Sequence, residues 1–155
     1  MIPESLQRII GKVDPPRLME VEKGSIRRYA DAVGNDNPLY YDEEHAKKSR
    51  YGSIIAPPGF FGWPKTAAPS AGGMGAIMET LFEAGYGGIL DGGISYEFYL
   101  PIRAGDTLVA SPKFADASLK EGKTKMMVCR LETSYLNQNG DLVAKAFHTL
   151  IGRQL

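Results

Sequence analysis

The residues best suited to move protons lie close together in this sequence, between Gly34 and His45. The stretch GNDNPLYYD, residues 34–42, holds the carboxylates Asp36 and Asp42, and His45 follows three residues later. Carboxylates and imidazoles are common general acids and bases in enzymes. The same stretch combines Gly, Asn, Asp and Pro, which is also typical of a tight turn. The residue types therefore allow two interpretations, an acid–base site or a structural loop.

We favour a structural role for each of these side chains taken alone. Asp36 is typical of an Asx turn, in which the carboxylate accepts a hydrogen bond from nearby backbone. His45 lies in the polar stretch DEEHAKKS, which predicts an exposed histidine. His148 alternates with apolar residues, which predicts a half-buried, hydrogen-bonded histidine. Two histidines so far apart form no metal-binding motif, so we expect no metal site.

Composition indicates one domain without a strong overall charge. A chain of 155 residues can bury a core of its own, and we expect a single domain over residues 1–155. The 18 basic and 18 acidic residues balance, so neither nucleic acid nor an anionic membrane is an expected partner. Cys129 is the only cysteine, which excludes an intramolecular disulfide and favours the cytoplasm. We expect Cys129 to pack in the core or the sheet.

Four segments have helical patterns. The apolar spacing in KGSIRRYADAV predicts a helix over about 25–33, with Ser25 as its cap, that ends at Gly34 and leads into the loop. DEEHAKKS places acids first and bases last, as a short helix favours. Pro58 suits the first turn of a buried aromatic helix that Pro64 bends or ends. A further short helix is predicted over about 76–84, within a glycine-rich stretch, residues 71–93, that we interpret as a mobile connection.

The C-terminal half is predicted to be β-structure. GGISYEFYL, TLVASPKFADA, KTKMMVCRLETSYL and LVAKAFHTLI read as strands of an antiparallel meander. NQNG joins the last two, because Asn139 and Gly140 accept positive φ at low cost. With helices first and strands after, the chain predicts an α+β fold in which the sheet wraps around a central helix. No glycine-rich nucleotide motif is complete, so we expect no cofactor.

Several motifs, taken in one order, resemble a known family. YADAVGNDNPLYYDEEHAKKSRYGSIIAP, then RAGDTL, then NGDLVAKAFHTLIGR are similar to the MaoC-like dehydratases of hot-dog fold, which include (R)-specific enoyl-CoA hydratases. The resemblance is greatest to the MaoC-like N-terminal dehydratase domain branch, which looks like the dehydratase of type I fatty acid synthase. It spans about residues 20–153. It implies that the substrate is an acyl-CoA or an acyl-carrier thioester.

The resemblance also shows where this chain departs from the family. In the family the loop reads Gly-Asp-x-Asn-Pro-hydrophobic-His, and its Asp and His flank the reacting water and double bond. Asn37 and Pro38 match the Asn-Pro pair, but Asn35 stands in the Asp position and Tyr40 in the His position. Asn accepts no proton near neutral pH, and Tyr, with a pKa of about 10, is a poor base there.

The family's thioester-binding amide lies at a helix start after Ile-Ala-His-Gly, which maps onto residues 55–58. Proline has no N–H to give, so the amide of Gly59 or Phe60 is the expected donor. Phe60, Phe61 and Trp63 would either line an acyl tunnel or pack as core. With Asn37, Pro38 and Gly59 they are the expected substrate-binding residues.

The resemblance thus implies a component of a hydratase or dehydratase that lacks the usual catalytic pair. In the favoured hypothesis the chain binds the acyl thioester, and a partner hot-dog subunit supplies Asp and His. In one alternative a homodimer is self-sufficient and uses Asp36, Tyr40 or His45. In another, the protein is an acyl-CoA-binding module without chemistry. A thioesterase is disfavoured by the Asn-Pro loop and the Ala-Gly-Asp turn.

Overall fold

The computed structural model describes residues 1–65 and 74–154. The helices are α1 (Glu4–Gln7), α2 (Lys23–Ala32), α3 (Glu43–Lys48) and α4 (Met74–Glu83), with a 3₁₀ turn at Pro38–Tyr40. The strands are β1 (Arg17–Glu20), β2 (Trp63–Pro64), β3 (Gly88–Phe98), β4 (Thr107–Lys120), β5 (Met126–Leu136) and β6 (Leu142–Arg153). Within these described ranges no helix is both long and apolar enough to cross a membrane.

All six strands form one antiparallel sheet in the order β2-β1-β4-β5-β6-β3. The predicted α+β hot-dog fold is confirmed. The predicted meander is correct for β4, β5 and β6 but wrong for β3, which pairs with β6 at the far edge of the sheet. The PIRAGD turn therefore carries the chain from one side of the sheet to the other. In it Gly105 has a φ of 94°, and the Asp106 carboxylate accepts a hydrogen bond from the Arg103 amide at 2.7 Å.

The hairpin between β5 and β6 has one residue at positive φ, whereas we predicted two. Gly140 has a φ of 84°, whereas Asn139 stays at negative φ. The Asn137 side chain accepts hydrogen bonds from the amides of Asn139 and Asp141, at 2.9 and 3.0 Å. A wider loop closed by this side chain needs only one residue in the left-handed region.

The prediction of a buried helix starting at Pro58 is wrong. The chain instead makes a turn, in which the Phe60 amide donates to the Pro57 carbonyl at 3.1 Å, and then joins the sheet as β2. Gly59 and Gly62 have φ values of 91° and 85°, which no α-helix accommodates. Gly62 also lies so close to β1 that a Cβ there would sit 2.4 Å from the Glu20 carbonyl oxygen.

The helix that packs on the sheet is α4, in agreement with the short helix predicted over about 76–84. The interpretation of residues 71–93 as a mobile connection is wrong for 74–93, which form α4, a short turn at 84–87 and the first half of β3. Residues 71–73 lie outside the described residues. Tertiary packing accounts for the difference, because Ile77 and Leu81 are both fully buried against the sheet.

Helices α2 and α3 match their predictions apart from one cap, whereas α1 has no counterpart in the predictions. Helix α2 begins at Lys23, two residues earlier than Ser25, and its cap residue is Glu22. Ser25 lies inside the first turn, where its hydroxyl is 3.2 Å from the Glu22 carboxylate. Helix α3 is capped by Asp42, whose carboxylate accepts hydrogen bonds from the amides of Glu44 and His45.

Two apolar clusters form the core at opposite ends of the sheet. The first joins α2 and the 34–42 loop to β4 and β6, and it includes Ile26, Ala30, Phe60, Phe61, Leu108 and Val143. The second joins α4 and α1 to β4, β5 and β6, and it includes Leu6, Ile77, Leu81, Met127, Cys129 and Leu150. Cys129 packs in the core as predicted, and burial raises the pKa of its thiol to about 11.

The second cluster gives a direct test of the role of α4. Leu81 is fully buried, whereas its neighbour Phe82 is 56% exposed. Leu81→Ala should lower the free energy of unfolding by about 2–5 kcal/mol, because it opens a cavity under the helix. Urea denaturation followed by circular dichroism measures this change. Phe82→Ala is the matched control, expected within about 0.5 kcal/mol of the parent, and equal losses in both variants would contradict the packing of α4 on the sheet.

Candidate functional site

Hydrogen bonds to the side chains of two asparagines stabilise the loop at 34–42. The Asn35 side chain accepts a hydrogen bond from the Asn37 amide at 3.2 Å, and the Asn37 side chain accepts one from the Leu39 amide at 3.0 Å. Our expectation that Asp36 is the Asx-turn residue is therefore wrong. Such a bond reaches the amide two residues ahead, and for Asp36 that residue is Pro38, which has no N–H.

The loop separates two cavities. The first, which we call the Asn35 cavity, has a volume of about 560 Å³ and is lined by Asp31, Gly34, Asn35, Asp36, Pro38, Tyr41 and Asp42. The second, the Tyr40 cavity, has a volume of about 430 Å³ and is lined by Asn37, Leu39, Tyr40, Arg50, Tyr51, 55–58 and 98–102. Asn35 lines only the first and Tyr40 only the second. The two positions that the sequence resemblance aligned with the family's catalytic pair thus border different cavities.

The Asn35 cavity is acidic and open to solvent. Three carboxylates line it, those of Asp31, Asp36 and Asp42. The Tyr41 hydroxyl donates to the Asp31 carboxylate at 2.8 Å and lies 3.0 Å from the Asn35 carbonyl oxygen. Partial desolvation, together with the Asp31 carboxylate, raises the pKa of Tyr41. Such a surface repels the phosphates that acyl carriers bear.

The walls of the Tyr40 cavity come from three distant parts of the chain. Residues 54–56 pair with residues 102–104, where the Ala56 amide donates to the Ile102 carbonyl at 2.8 Å and the Ala104 amide to the Ile54 carbonyl at 3.0 Å. The side chains that line the space are mostly apolar: Leu39, Ile55, Ala56, Pro57, Pro58, Phe98, Leu100, Pro101 and Ile102. This composition suits an apolar ligand of moderate size.

The polar groups of this cavity are mainly phenols. Tyr40 is 6% exposed, and its hydroxyl makes no hydrogen bond to any described residue. Burial, and to a smaller extent the neighbouring Tyr51 phenol, raise the pKa of Tyr40. The Arg50 guanidinium donates to the Tyr51 hydroxyl at 2.6 Å and lies 4.8 Å from the centre of its ring. The cavity therefore combines apolar walls with hydrogen-bond donors.

The remaining predicted substrate-binding residues lie elsewhere. Phe60 and Phe61 are buried in the core, and the Phe61 ring stacks on Tyr135 at 4.1 Å between centroids. Trp63 is 58% exposed on β2. Gly59 has no helix behind it, and the Phe60 amide is already bound to Pro57. Of the six predicted residues, the structure brings only Asn37 to the wall of the Tyr40 cavity, while Pro38 lines the Asn35 cavity.

The two histidines lie outside both cavities. His45 is exposed on α3, as predicted, and only its backbone amide is used, in the bond to Asp42. His148 is 22% exposed in its side chain, and its Nε2 atom lies 3.0 Å from the Asp91 carboxylate, which confirms the half-buried, hydrogen-bonded histidine. Among the described residues no cluster of His, Cys, Asp or Glu could hold a metal ion.

Residues 8–146 match the family described as "FAS1-like, dehydratase domain region". The chain belongs to this family. The resemblance to MaoC-like hot-dog hydratases noted in the sequence is therefore confirmed. A relative from Thermomonospora curvata, named a probable enoyl-CoA hydratase alpha subunit, is 30% identical over 130 residues, which cover 77% of this chain and 40% of that protein.

Two solved structures share the fold. The ChsH1-ChsH2 complex from Mycobacterium tuberculosis superposes with a TM-score of 0.82 at 20% identity, covering 97% of this chain and 95% of that one. The HadBC (3R-hydroxyacyl-ACP dehydratase) complex from the same organism has a TM-score of 0.65 at 24% identity, covering 93% of this chain and 97% of that one. Both likenesses establish the hot-dog fold.

Sequence reasoning missed most of the Tyr40 cavity. Arg50 and Tyr51 precede the Gly-Ser-Ile-Ile-Ala motif, and Leu100 and Ile102 flank the start of the PIRAGD turn. Their only local signal is that they adjoin motifs of the family. Their convergence depends on the pairing of residues 54–56 with 102–104, which no local pattern reveals.

The cap that follows the loop should make stability depend on pH. Two backbone amides, that of His45 above all, lower the pKa of the Asp42 carboxyl. The ionised Asp42 carboxylate therefore contributes fully to folding stability above the pKa of an unfolded Asp, about 3.9. This contribution is lost as the pH falls through the lower pKa of Asp42 in the folded protein. Chemical denaturation at pH 6 and pH 3 tests this. The parent should be more stable than Asp42→Asn at pH 6, and the difference should shrink at pH 3. A difference that stayed constant would contradict an ionised cap.

Proposed function

We propose that this chain is the acyl-thioester-binding subunit of a hydratase or dehydratase, and that a second hot-dog subunit supplies the catalytic acid and base. Hydration of an enoyl thioester requires a base to take a proton from water and an acid to protonate the α-carbon. The relatives support a two-chain enzyme, since one is named an alpha subunit and the two solved structures are complexes of named pairs.

One observation carries the proposal: among the described residues, no carboxylate and no imidazole lines the Tyr40 cavity. Its titratable groups are phenols and one guanidinium. The raised pKa of Tyr40 keeps the phenol protonated at neutral pH, so it donates a hydrogen bond but accepts no proton. Asn35 borders the other cavity and cannot ionise. The cavity is therefore suited to binding and lacks a base.

Charge favours the Tyr40 cavity as the acyl site. Arg50, at its wall, offers a cation to the phosphates of an acyl carrier. The Asn35 cavity presents three carboxylates, which would oppose the same group. The apolar walls then accommodate the acyl chain, and the acid and base come from the partner.

The surface for that partner is the free edge of β3. This strand has 11 residues and pairs on one side only, with β6, among the described residues. Leu90, Ile94 and Phe98 on it are 50%, 51% and 46% exposed. A long apolar edge of this kind is a template for strand pairing, and proteins normally cover it. Because Phe98 also lines the Tyr40 cavity, a subunit added here would reach the cavity's mouth.

The decisive experiment measures crotonyl-CoA hydration by the purified chain alone and mixed with a hot-dog subunit that keeps the intact Gly-Asp-x-Asn-Pro-x-His loop and is encoded beside it. We expect the mixture to turn over at least about 100-fold faster than the chain alone, because general acid–base catalysis contributes that much or more. Asp36→Ala and His45→Ala should leave the rate of the mixture unchanged.

Three results would contradict the proposal. Turnover by the chain alone that is lost in Asp36→Ala or His45→Ala would show a self-sufficient homodimer. Binding of crotonyl-CoA with no turnover in any mixture would show a binding module without chemistry. A mixture that works, but in which this chain can be replaced by a second copy of the partner at no loss of rate, would show that the chain has no role in binding.

A further inference from the structure

A β-bulge interrupts the free edge of β3. The register of β3 on β6 shifts between Asp91 and Ile94, where β3 has one residue more than β6. Gly93 has a φ of 103°, and Gly92 lies so close to β6 that a Cβ there would sit 2.7 Å from the Thr149 side chain. Both positions therefore favour glycine, as a bulge of this kind requires.

The Asp91 carboxylate holds the bulge in place. Its Oδ1 atom accepts a hydrogen bond from the Gly93 amide at 2.8 Å and lies 3.0 Å from the Nε2 atom of His148 on β6. The Gly93 amide, and to a smaller extent the His148 ring, lower the pKa of Asp91. One oxygen atom thus ties the bulge both to its own strand and to the neighbouring strand.

The bulge separates the exposed apolar side chains of β3 into two groups. Leu90 lies opposite Ile151, and Ile94 lies opposite His148. Because residues 148 and 151 are three positions apart on β6, their side chains point to opposite faces of the sheet, and so do those of Leu90 and Ile94. Phe98, four residues beyond Ile94, shares the face of Ile94. Without the extra residue all three exposed side chains would lie on one face.

A strand that added to this edge would meet the bulge as an obstacle. A bulge bends its strand and interrupts the row of backbone donors and acceptors that strand pairing needs. One straight strand therefore cannot pair in a single register with both residues 88–91 and residues 94–98. Only the second of these segments adjoins the Tyr40 cavity, because Phe98 lines it.

We propose that the bulge is a stop that confines the strand of the catalytic partner to the outer edge of Ile94–Phe98, and that Asp91 and His148 are positioning residues that set it. In taking the occupant to be the second hot-dog subunit, this inference rests on the proposed function. A second copy of this chain would contribute another Asn35 and Tyr40, whereas the reaction requires a subunit with an acid and a base. The stop fixes the place of the partner along β3, and so the place of its catalytic loop relative to the Tyr40 cavity.

The test is hydrogen exchange of single amides by NMR, on the isotope-labelled chain alone and saturated with the unlabelled partner subunit. In the complex, the amides of residues 94–98 that point away from β6 should exchange at least about tenfold more slowly, because a hydrogen bond must open first. The outward amides of residues 88–91 should keep their rates. Protection that runs without a break from 88 to 98, or that covers 88–91 alone, would overturn the inference.

Substitution of Asp91 tests whether its carboxylate sets the stop. Asp91→Ala removes both hydrogen bonds, so protection by the partner should spread into residues 88–93. The turnover of crotonyl-CoA by the mixture should fall about tenfold or more, because a small misplacement of catalytic groups is costly. Asp91→Asn keeps one oxygen that can accept both bonds, and it should restore the exchange pattern and the rate of the parent. An Asp91→Ala complex with the pattern and rate of the parent would contradict the role of Asp91.

Two controls separate this effect from a loss of structure. Asp116→Ala makes the same change at an exposed aspartate beside the register shift of β4, and it should alter neither the exchange of β3 nor the rate. Far-UV circular dichroism should show the fold of the parent in all three variants, because the Asp91 side chain is 73% exposed. The exchange pattern of the parent complex tests the stop without any variant.

The remaining outcomes separate the inference from the proposed function. A mixture that turns over crotonyl-CoA while no amide of β3 gains protection would overturn the inference and leave the proposed function in place. Protection of residues 94–98 in the chain alone, unchanged by the partner, would show a second copy at this edge and would also overturn the inference. A partner that neither protects β3 nor supports turnover would overturn both.

Discussion

The pairing of residues 54–56 with residues 102–104 is the contact on which the candidate site depends. Two backbone hydrogen bonds, at 2.8 and 3.0 Å, join the segment after α3 to the start of the PIRAGD turn, and the Ile55 amide also reaches the Leu39 carbonyl at 3.4 Å. Backbone N–H and C=O groups that are removed from water need hydrogen-bond partners, and these bonds supply them. They hold three distant segments of the chain around the Tyr40 cavity. Without it the Tyr40 cavity would have no walls.

Asparagine side chains hold the shape of the loop at 34–42, and that shape does not depend on a catalytic acid or base. Asn35 and Asn37 accept backbone amides, and Asp42 caps the next helix. None of these bonds needs an acid–base pair, so the loop tolerates Asn in the family's Asp position and Tyr in its His position. Under the proposed function Tyr40 has no catalytic role, and a phenol in an apolar wall can contribute to binding instead.

The proposed division of labour between two subunits would use the same geometry. Phe98, at the end of the edge strand β3, lines the cavity, and the apolar side chains Leu90, Ile94 and Phe98 of this strand are about half exposed. A hot-dog partner at that edge would bring its own loop to the cavity's mouth, where its acid and base would act. Under the proposed function one working catalytic pair would be enough for each site, and this chain would not need a second.

The sequence alone determined the fold class, the meander of β4, β5 and β6, and the helices α2 and α3, and it provided the alignment that sets Asn35 and Tyr40 at the positions of the family's catalytic pair. These depend on local periodicity, on capping residues and on side-chain chemistry at known motif positions. It failed at Pro58, where two glycines at positive φ and the close approach of Gly62 to β1 replace the proposed helix by a turn that leads into β2. Only the tertiary structure decided the separation of Asn35 from Tyr40, the exposure of Trp63 and the lining of the Tyr40 cavity. Each of these depends on contacts between segments tens of residues apart, which local sequence patterns do not predict.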